Sequence, residues 1–449
     1  MRERVIRRGV LLAAVLSVAS VAHAQQAPSM LKPTVLDEQP VDVEVGTLPK
    51  PLTIADPEEP TGPRKKKVAV DLYAPVGIDT GGMRLYPTLE IGTAATSNVA
   101  QSNLNPKFDF GLRLRPTIRF ESDWSRHSWT GTASAELLRY LQNPDLSTLT
   151  GSVSTNFRLD IRHTTHSDFA ASYVANATGL GDTSVPAAAA EPRRDQNFGL
   201  SADIVHDFGG LEGTAKAAVN RSSFSDVALV GGGTENNADR NYVEPSLTLR
   251  ASLGDFGARL KPYAELVYAP RFHDQAIDRN GQRRDSQGLT GTLGLSLSDG
   301  PIWEGDVALA YIVRGYSDPN LATTSAFGLR GRVAWSPIPL LKIEGVTGVD
   351  LAETETLNLG ATRKWSAGIN ATYSLRENIN LLAGIGLTRS DIGSASTTNK
   401  TATAGLEWTL NPNVSAAVIY QGTWFDDGTG AASGNYDEQR LTTSIVFKK

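Results

Sequence analysis

A repeated alternation of apolar and polar residues constrains the fold of this chain more than any other feature of its sequence. Within residues 401–410, the apolar members are Ala402, Ala404, Leu406, Trp408 and Leu410, and every residue between them is polar or glycine. Because successive side chains of a strand point to opposite faces, this period of two predicts a strand with one apolar face. About 18 such segments occur, each near the length that a tilted strand needs to cross a bilayer. We therefore predict an all-β fold, a transmembrane antiparallel up-and-down β-barrel of about 18 strands, with about 16 as the fallback.

The last segment of the chain carries the same pattern, and we expect it to close the barrel. It places Leu441, Thr443, Ile445 and Phe447 on one face. An unpaired strand edge is not tolerated in lipid, so the final strand must pair with the first. We predict that these four residues act as an assembly signal for the barrel assembly machinery, and that the finished barrel contacts outer-membrane lipids.

Composition and charge exclude several other classes of protein. The chain of 449 residues is 40% hydrophobic and has a formal net charge of -5, which does not suit a nucleic-acid-binding protein. It contains no cysteine, so disulfides and thiolate metal sites are excluded. The lack of thiols also suits a route through the oxidising periplasm.

The N-terminus has the three parts of a secretory signal peptide, which we place at residues 1–24. The basic start contains Arg2, Arg4, Arg7 and Arg8. A short apolar core follows, and Ala22 and Ala24 then form the A-x-A cleavage pattern. We therefore predict cleavage after Ala24. The alternative is a membrane-spanning helix, but the apolar core is too short for one.

Residues 25–83 differ from the rest and are predicted to be a Pro-rich, charged and largely disordered periplasmic segment. Eight prolines between residues 28 and 63 interrupt any ladder or helix. Seven acidic residues precede a basic run at 64–67. Such a composition favours an extended, solvated chain. We expect this segment to contact any periplasmic or secretion partner, although the basic run is also explained as a solvated patch.

Residues 84–449 form a meander of predicted strands whose connections alternate in length. Short turns, such as Phe208-Gly-Gly210 and Ser336-Pro-Ile338, alternate with long polar loops, such as 178–195 and 273–285. Short periplasmic turns and long outer loops are typical of outer-membrane barrels. Both chain ends then lie in the periplasm, which requires an even number of strands. The alternative is a soluble β-sandwich or propeller, whose strands alternate in the same way.

Charged residues occupy the polar faces of these strands and are the candidate functional surface. The predicted lumen-facing charges are Arg113, Arg115, Arg119, Arg158, Arg250, Glu304, Asp306, Arg330, Arg332, Glu344, Lys364 and Glu407. One interpretation is a set of cross-strand ion pairs in which the charged side chains of a hydrated lumen satisfy each other. The other is a transverse field that orients polar solutes in a pore. Because the signs are mixed, we do not expect strong selectivity for anions or cations.

Two short motifs, Tyr86-Pro-Thr-Leu89 and the turn Ser122-Asp-Trp-Ser-Arg-His127, resemble those of a known bacterial family. The family is that of the outer-membrane proteins named putative β-barrel porin type 2, and the resemblance extends over residues 84–449. It implies a barrel in the outer membrane of a Gram-negative bacterium, in a family whose transported substrates are mostly undefined. Some relatives are thought to be encoded among exopolysaccharide export genes. The two lysines that follow Phe447 depart from the usual assembly signal.

No constellation of catalytic or metal-binding residues stands out, so we predict that the protein is not an enzyme and needs no cofactor. His163 and His166 have the i, i+3 spacing of metal ligands, but no third ligand group is near them in sequence. They are better explained as part of a polar periplasmic turn. The Gly-x-Ser-x-Gly motif of serine hydrolases is also missing from the sequence.

Three functions remain open from the sequence. The leading one is a porin-like channel for small polar solutes, since a barrel of about 16 to 18 strands leaves an aqueous lumen. The second is an accessory outer-membrane component of exopolysaccharide secretion, with residues 25–83 reaching a periplasmic partner. The third is a closed structural or adhesive barrel.

Overall fold

The computed structural model describes residues 75–254, 259–299, 302–354, 356–428 and 434–449. The predicted signal peptide, with its cleavage residues Ala22 and Ala24, lies outside these residues, as does all but the end of the predicted periplasmic segment. Within the described residues, no helix has both the length and the apolar character needed to cross a membrane.

Eighteen long antiparallel strands make up most of the described chain. The first nine are β1 (Met83–Thr96), β2 (Asp109–Ser122), β3 (Ser128–Tyr140), β4 (Thr148–Arg162), β5 (Thr165–Thr178), β6 (Arg193–Asp207), β7 (Leu211–Phe224), β8 (Tyr242–Leu253) and β9 (Leu260–His273). The second nine are β10 (Ser286–Asp299), β11 (Trp303–Tyr316), β12 (Thr324–Ile338), β13 (Leu341–Ala352), β14 (Thr362–Arg376), β15 (Ile379–Ile392), β16 (Ala395–Asn411), β17 (Val414–Asp426) and β18 (Tyr436–Lys448). Short 3₁₀ helices occur at Pro144–Leu146 and Ala238–Arg240, and two-residue strands at Ile78–Asp79, Val227–Ala228 and Thr234–Glu235.

These strands close into a single barrel. Each strand pairs with the next one along the chain, and β18 pairs with β1 from Thr88↔Lys448 to Thr96↔Arg440. The ladder between β1 and β18 contains Leu441, Thr443, Ile445 and Phe447. The predicted all-β barrel of 18 strands is therefore confirmed. The role of the last strand as an assembly signal stays a prediction.

The two ends of the barrel differ in their connections. β1 begins, and β18 ends, at the end of the barrel where the turns are short. Examples of these turns are 163–164 after β4 and 412–413 after β16. Most connections at the opposite end are longer, such as 179–192 after β5 and 225–241 after β7. We name these the short-turn end and the long-loop end.

The predicted turn at Ser336-Pro-Ile338 is wrong by a few residues. β12 continues to Ile338, and the turn before β13 lies at 339–340. The reason is a register shift between Trp335 and Ile338, where a β-bulge adds residues to one strand. A bulge tolerates a proline that a regular ladder would reject, so Pro337 does not end the strand.

The alternation places different side chains on the two faces of the wall. Large hydrophobic residues project from the outer face, with Leu293 66% exposed and Phe327 and Ile385 each 60% exposed. Apolar exposure on this scale is typical of a surface that contacts lipid. Trp303 and Trp335 stack on each other near the short-turn end, with ring centroids 5.3 Å apart, as in an aromatic girdle. Small and charged residues occupy the inner face.

We expect a charge to be costly on the outer face and tolerated on the inner face. Ile385 lies in the middle of β15, and Thr401 of β16 pairs with the neighbouring Gly386 on the inner face. Ile385→Arg should lower the free energy of unfolding in lipid by roughly 2–4 kcal/mol, whereas Thr401→Arg should cost under about 1 kcal/mol because the longer arginine side chain can extend from the inner face into the lumen. Denaturant titrations of both variants in lipid vesicles measure the difference. Equal costs would contradict this assignment of the faces.

Candidate functional site

The inner face of β1, β2 and β3 carries a ladder of paired charges. Arg113 contacts Glu90 and donates a hydrogen bond to Glu136 at 2.8 Å, and Arg113 and Glu90 are both buried. Arg115 lies 4.0 Å from Glu90. Arg119 pairs with a glutamate on its own strand at 3.4 Å. All three predicted arginines of β2 are thus held in ion pairs along or across the strands.

A second chain of polar contacts joins β8 to β11. The guanidinium carbon of Arg250 lies 3.5 Å from the ring centroid of Tyr263, and its Nη2 donates to the Ser296 hydroxyl at 2.7 Å. The Tyr263 hydroxyl in turn donates to Asp306. Glu304 lies on the same face of β11, two residues nearer to the short-turn end. The predicted Arg250 and Asp306 are therefore brought together through an aromatic ring.

The predicted charges of β12 to β16 lie on the inner face of the strands that follow β11. Nη2 of Arg332 lies 2.6 Å from Oε2 of Glu344, and the Arg332 side chain is 66% exposed. Arg330 instead donates to a backbone carbonyl of β13 at 3.2 Å. Lys364 faces an aspartate of β13 across the ladder, and Glu407 lies on β16 beside an asparagine of β15. Of this group, Arg332 is the charge most accessible to solvent.

The remaining predicted residue, Arg158, lies near the short-turn end. Its Nε donates to Oδ1 of Asp160 at 3.1 Å. His163 occupies the turn between β4 and β5, and His166 follows at the start of β5. Across the described ranges, no group of three or more His, Asp or Glu side chains is placed to hold a metal ion.

A further charge network lies on the inner face at the long-loop end, and the sequence did not predict how its members pair. Arg271 contacts both Glu244 and Glu353, and Nη2 of Arg314 donates to Glu244 at 2.9 Å. Nε2 of His273 lies 3.8 Å from Glu353. The alternation on β9 could have indicated that Arg271 faces the lumen, because Arg271 is separated by an even number of positions from inner-face residues of the same strand. Glu353 lies beyond the end of β13, and nothing in the sequence indicated its partner.

The upper part of β13 separates from β12 and packs against the inner face of the wall, while it stays paired with β14 as far as Ala352↔Thr362. The ladder between β12 and β13 runs from Ile338↔Leu341 only as far as Gly331↔Thr347, and none of the described residues continues it. Beyond this point, Val349 and Leu351 are buried in an apolar cluster with inner-face residues of β11 and β12. The other members of this cluster are Ala310, Ile312, Ala326 and Ala361. We name residues 348–354 the β13 tip.

Side chains of β14 reach the edge of β12 that is not paired with the β13 tip. Nε of Arg363 donates to the Ser325 carbonyl at 2.6 Å, and Nε1 of Trp365 donates to the Phe327 carbonyl at 3.0 Å. Both carbonyls belong to β12, which would otherwise have an unpaired edge here. Two side-chain donors thus satisfy backbone groups that the ladder leaves open.

Polar contacts anchor the β13 tip and the loop that follows it. Glu353 is buried, and burial alone would raise its pKa, but Arg271 and His273 hold the pKa of this carboxyl well below its usual range. Farther along, Arg284 donates to the Leu359 carbonyl at 2.7 Å, and Gln282 donates to Asn358 at 2.9 Å. The carboxylate therefore stays ionised at neutral pH, and the loop is held to the connection after β9.

A second folded element narrows the same mouth from the other side. The loop after β5 packs Leu180 against an apolar cluster that includes Ala94 of β1 and Tyr140 of β3. The backbone N–H of Gly181 donates to Gln101 at 3.3 Å, which itself donates to a glutamate of β18. Elements on opposite sides of the barrel therefore reduce the opening at the long-loop end.

Comparison with known sequences identifies one family. A family model described as "Putative beta-barrel porin 2" matches residues 71–449. This match confirms the resemblance seen in the sequence. No curated protein matches the chain.

Solved structures with a similar arrangement include outer-membrane proteins of low sequence identity. Pseudomonas aeruginosa OpdL is 12% identical, with 82% of this chain and 99% of that chain covered and a TM-score of 0.39. Pseudomonas aeruginosa OccK8 (OprE) is 10% identical, with coverages of 82% and 98% and a TM-score of 0.40. The siderophore receptor PirA from Acinetobacter baumannii is 8% identical, with coverages of 81% and 80% and a TM-score of 0.40.

Removing the charge of Glu353 should loosen the β13 tip. Glu353→Gln keeps the size of the side chain but removes the ion pair with Arg271. We expect the amide protons of the tip to exchange at least about tenfold faster, since the loss of about 1.4 kcal/mol raises the open population tenfold. Hydrogen exchange with mass spectrometry measures this rate.

The matched control is Asp391→Asn, which removes the acid of an ion pair with Arg389 at 3.0 Å on β15, outside the contacts of the tip. This variant should leave exchange at the β13 tip unchanged. Unchanged exchange in Glu353→Gln as well would mean that the ladder with β14 and apolar packing hold the tip without the ion pair.

Proposed function

The chain belongs to the putative beta-barrel porin 2 family, and from this premise we propose that it is a porin-like channel for small polar solutes in the outer membrane of a Gram-negative bacterium. One observation carries the proposal: charged side chains on the inner face reach solvent. Arg332 is 66% exposed and Arg158 is 43% exposed. Ionised groups are far less costly beside water than in lipid or in a dry core, which supports a wet lumen. Barrels of about 16 to 18 strands are wide enough for one.

The paired charges favour weak rather than strong ion selectivity. Arg113 with Glu90, Arg250 with Glu265, and Lys261 with Glu212 each combine one positive and one negative group. Such pairs cancel much of each other's field at a distance, but they leave hydrogen-bonding groups along the wall. Polar solutes that exchange water for these groups are the favoured substrates.

The β13 tip and the loop after β5 favour a size limit at the long-loop end. Because both elements fold over the opening, a solute passes between them only if it is small. The tip is held by its ladder with β14, by the ion pair between Arg271 and Glu353, and by an apolar cluster.

Reversing the charge of the most accessible lumen arginine should change ion preference. Arg332→Glu should shift the reversal potential toward cation preference, because it replaces an Arg–Glu pair with two acids. Arg389→Glu, on the outer face of β15, should leave the potential unchanged. Purified protein in a planar bilayer under a salt gradient gives both values. If the wild type shows no channel steps at all, a closed structural barrel or a secretion component replaces the channel hypothesis.

Loosening the β13 tip should widen the path for ions. Glu353→Gln should raise single-channel conductance, or the frequency of a larger open level, because the tip loses its ionic anchor to β9. The comparison is made in the same bilayer assay with Asp391→Asn as the control. An unchanged conductance would place the narrowest point elsewhere.

A further inference from the structure

A basic cleft lies on the inner side of the wall at the short-turn end. It has a volume of about 280 Å³ and is lined by Arg126, Arg158, Asp160, Arg162, His163 and His166. Four of these residues come from the end of β4 and its turn, and Arg126 comes from the turn before β3. The cleft is at the mouth of the lumen opposite to the β13 tip.

The cleft is built around a bulge in β4. The register between β4 and β5 shifts between Asp160 and Arg162. Arg126 reaches across from the neighbouring turn and donates to the Asp160 carbonyl at 2.9 Å and to the Ile161 carbonyl at 3.0 Å. Bulges often re-aim side chains at functional sites. Here the bulge is pinned by an arginine whose remaining N–H groups stay available to a ligand.

A strained residue fixes the same bulge from the other side. His127 has a φ of 67°, which is uncommon for any residue with a side chain. Its Nδ1 accepts a hydrogen bond from the Asp160 N–H at 3.0 Å, and its own N–H donates to Oδ2 of Asp160 at 3.1 Å. Strain of this kind persists where surrounding contacts over-determine it, and it is common at ligand sites.

The charges of the cleft do not balance. Asp160 is its one acid, and its two oxygens already accept hydrogen bonds from Arg158 and from the His127 N–H. His166 lies 3.6 Å from Asp168, outside the cleft. In the described part of the chain, no ion pair joins Arg126 or Arg162 to a carboxylate. Two guanidinium groups therefore contribute positive charge without an acidic partner.

We propose that this cleft is a binding subsite for the oxyanion group of a solute, either a phosphate or a carboxylate. The proposal rests on the proposed channel, because the cleft lies where a solute would enter or leave the lumen. Arginine presents several N–H groups in a planar fork that matches such oxyanions. A volume of about 280 Å³ holds on the order of ten waters, so it admits a phosphate with part of its substituent.

The same geometry argues against a metal ion at His163 and His166. A cation would approach three arginines, whose repulsion opposes binding, and the one carboxylate is already paired. An anion gains from the same three groups.

Inorganic phosphate is the probe that tests the subsite. The mature chain in detergent micelles is titrated by calorimetry at constant ionic strength, so that screening does not change during the experiment. We expect saturable binding of one phosphate per barrel. Arg162→Gln combined with His163→Gln should weaken this binding at least about tenfold, because both residues are exposed and act on the ligand rather than on the fold.

The matched control is Arg389→Gln, which removes an arginine from the outer face of β15 and should leave phosphate binding unchanged. Heat-modifiable migration in gels verifies that every variant is folded. Unsaturable binding by the wild type, or equal affinity in the double variant, would overturn the subsite. Because calorimetry does not need an open pore, saturable binding without channel steps would instead refute the proposed function and leave the subsite in place.

Discussion

Closure of the backbone ladder is the constraint on which the rest of this structure depends. In lipid, an unpaired N–H or C=O group costs several kcal/mol, so an open sheet edge is excluded. The ladder from Thr88↔Lys448 to Thr96↔Arg440 removes the two edges that a sheet of eighteen sequentially paired strands would otherwise leave. Once the sheet is closed, each strand has one face toward the lumen and one away from it. The register then decides which side chains meet water, because a shift of one residue would exchange the two faces.

The β13 tip shows how a breach in that ladder is tolerated. Among the described residues, β12 is paired with β13 only from Gly331 onward. In the part of β12 before Gly331, the carbonyls of Ser325 and Phe327 still receive hydrogen bonds from Arg363 and Trp365. Arginine and tryptophan suit this task because each combines an N–H donor with a large surface that fills space. A glycine on β12 contributes as well: a Cβ on Gly328 would lie 3.0 Å from the Cβ of Val349. The inward fold of one strand therefore depends on side chains of both its neighbours.

The sequence predicted the strands and their faces, because both follow from a local period of two. Leu406 and Phe447 are exposed on the outer face as the alternation requires, and Arg113 is on the inner face. The pairing of Arg271 with Glu353 could not be predicted. It joins residues 82 positions apart, and Glu353 reaches Arg271 where the β13 tip packs against the inner face of the wall. The partners of the lumen charges could not be predicted either, because an ion pair across strands depends on the strand register, which one sequence does not determine.

The cleft near β4 could not be predicted from the sequence for a related reason. His163 and His166 were visible in the sequence as a pair, but their chemistry is set by neighbours from a different turn. Arg126 and His127 both bond to Asp160, because the turn between β2 and β3 lies beside the bulge of β4. A histidine pair that suggests a cation in isolation is, in its fold, part of a positive cleft.

Packing and charge are distributed differently at the two ends of this barrel. Along most of the wall, pairs such as Arg113–Glu90 and Arg332–Glu344 place opposite charges side by side. The long-loop end carries the packed β13 tip and the loop after β5. At the short-turn end, Arg126 and Arg162 form no ion pair with a carboxylate among the residues that the structure describes. In the proposed channel, a solute that enters from the long-loop end meets the packed elements before the basic cleft, so the proposal has size act before charge.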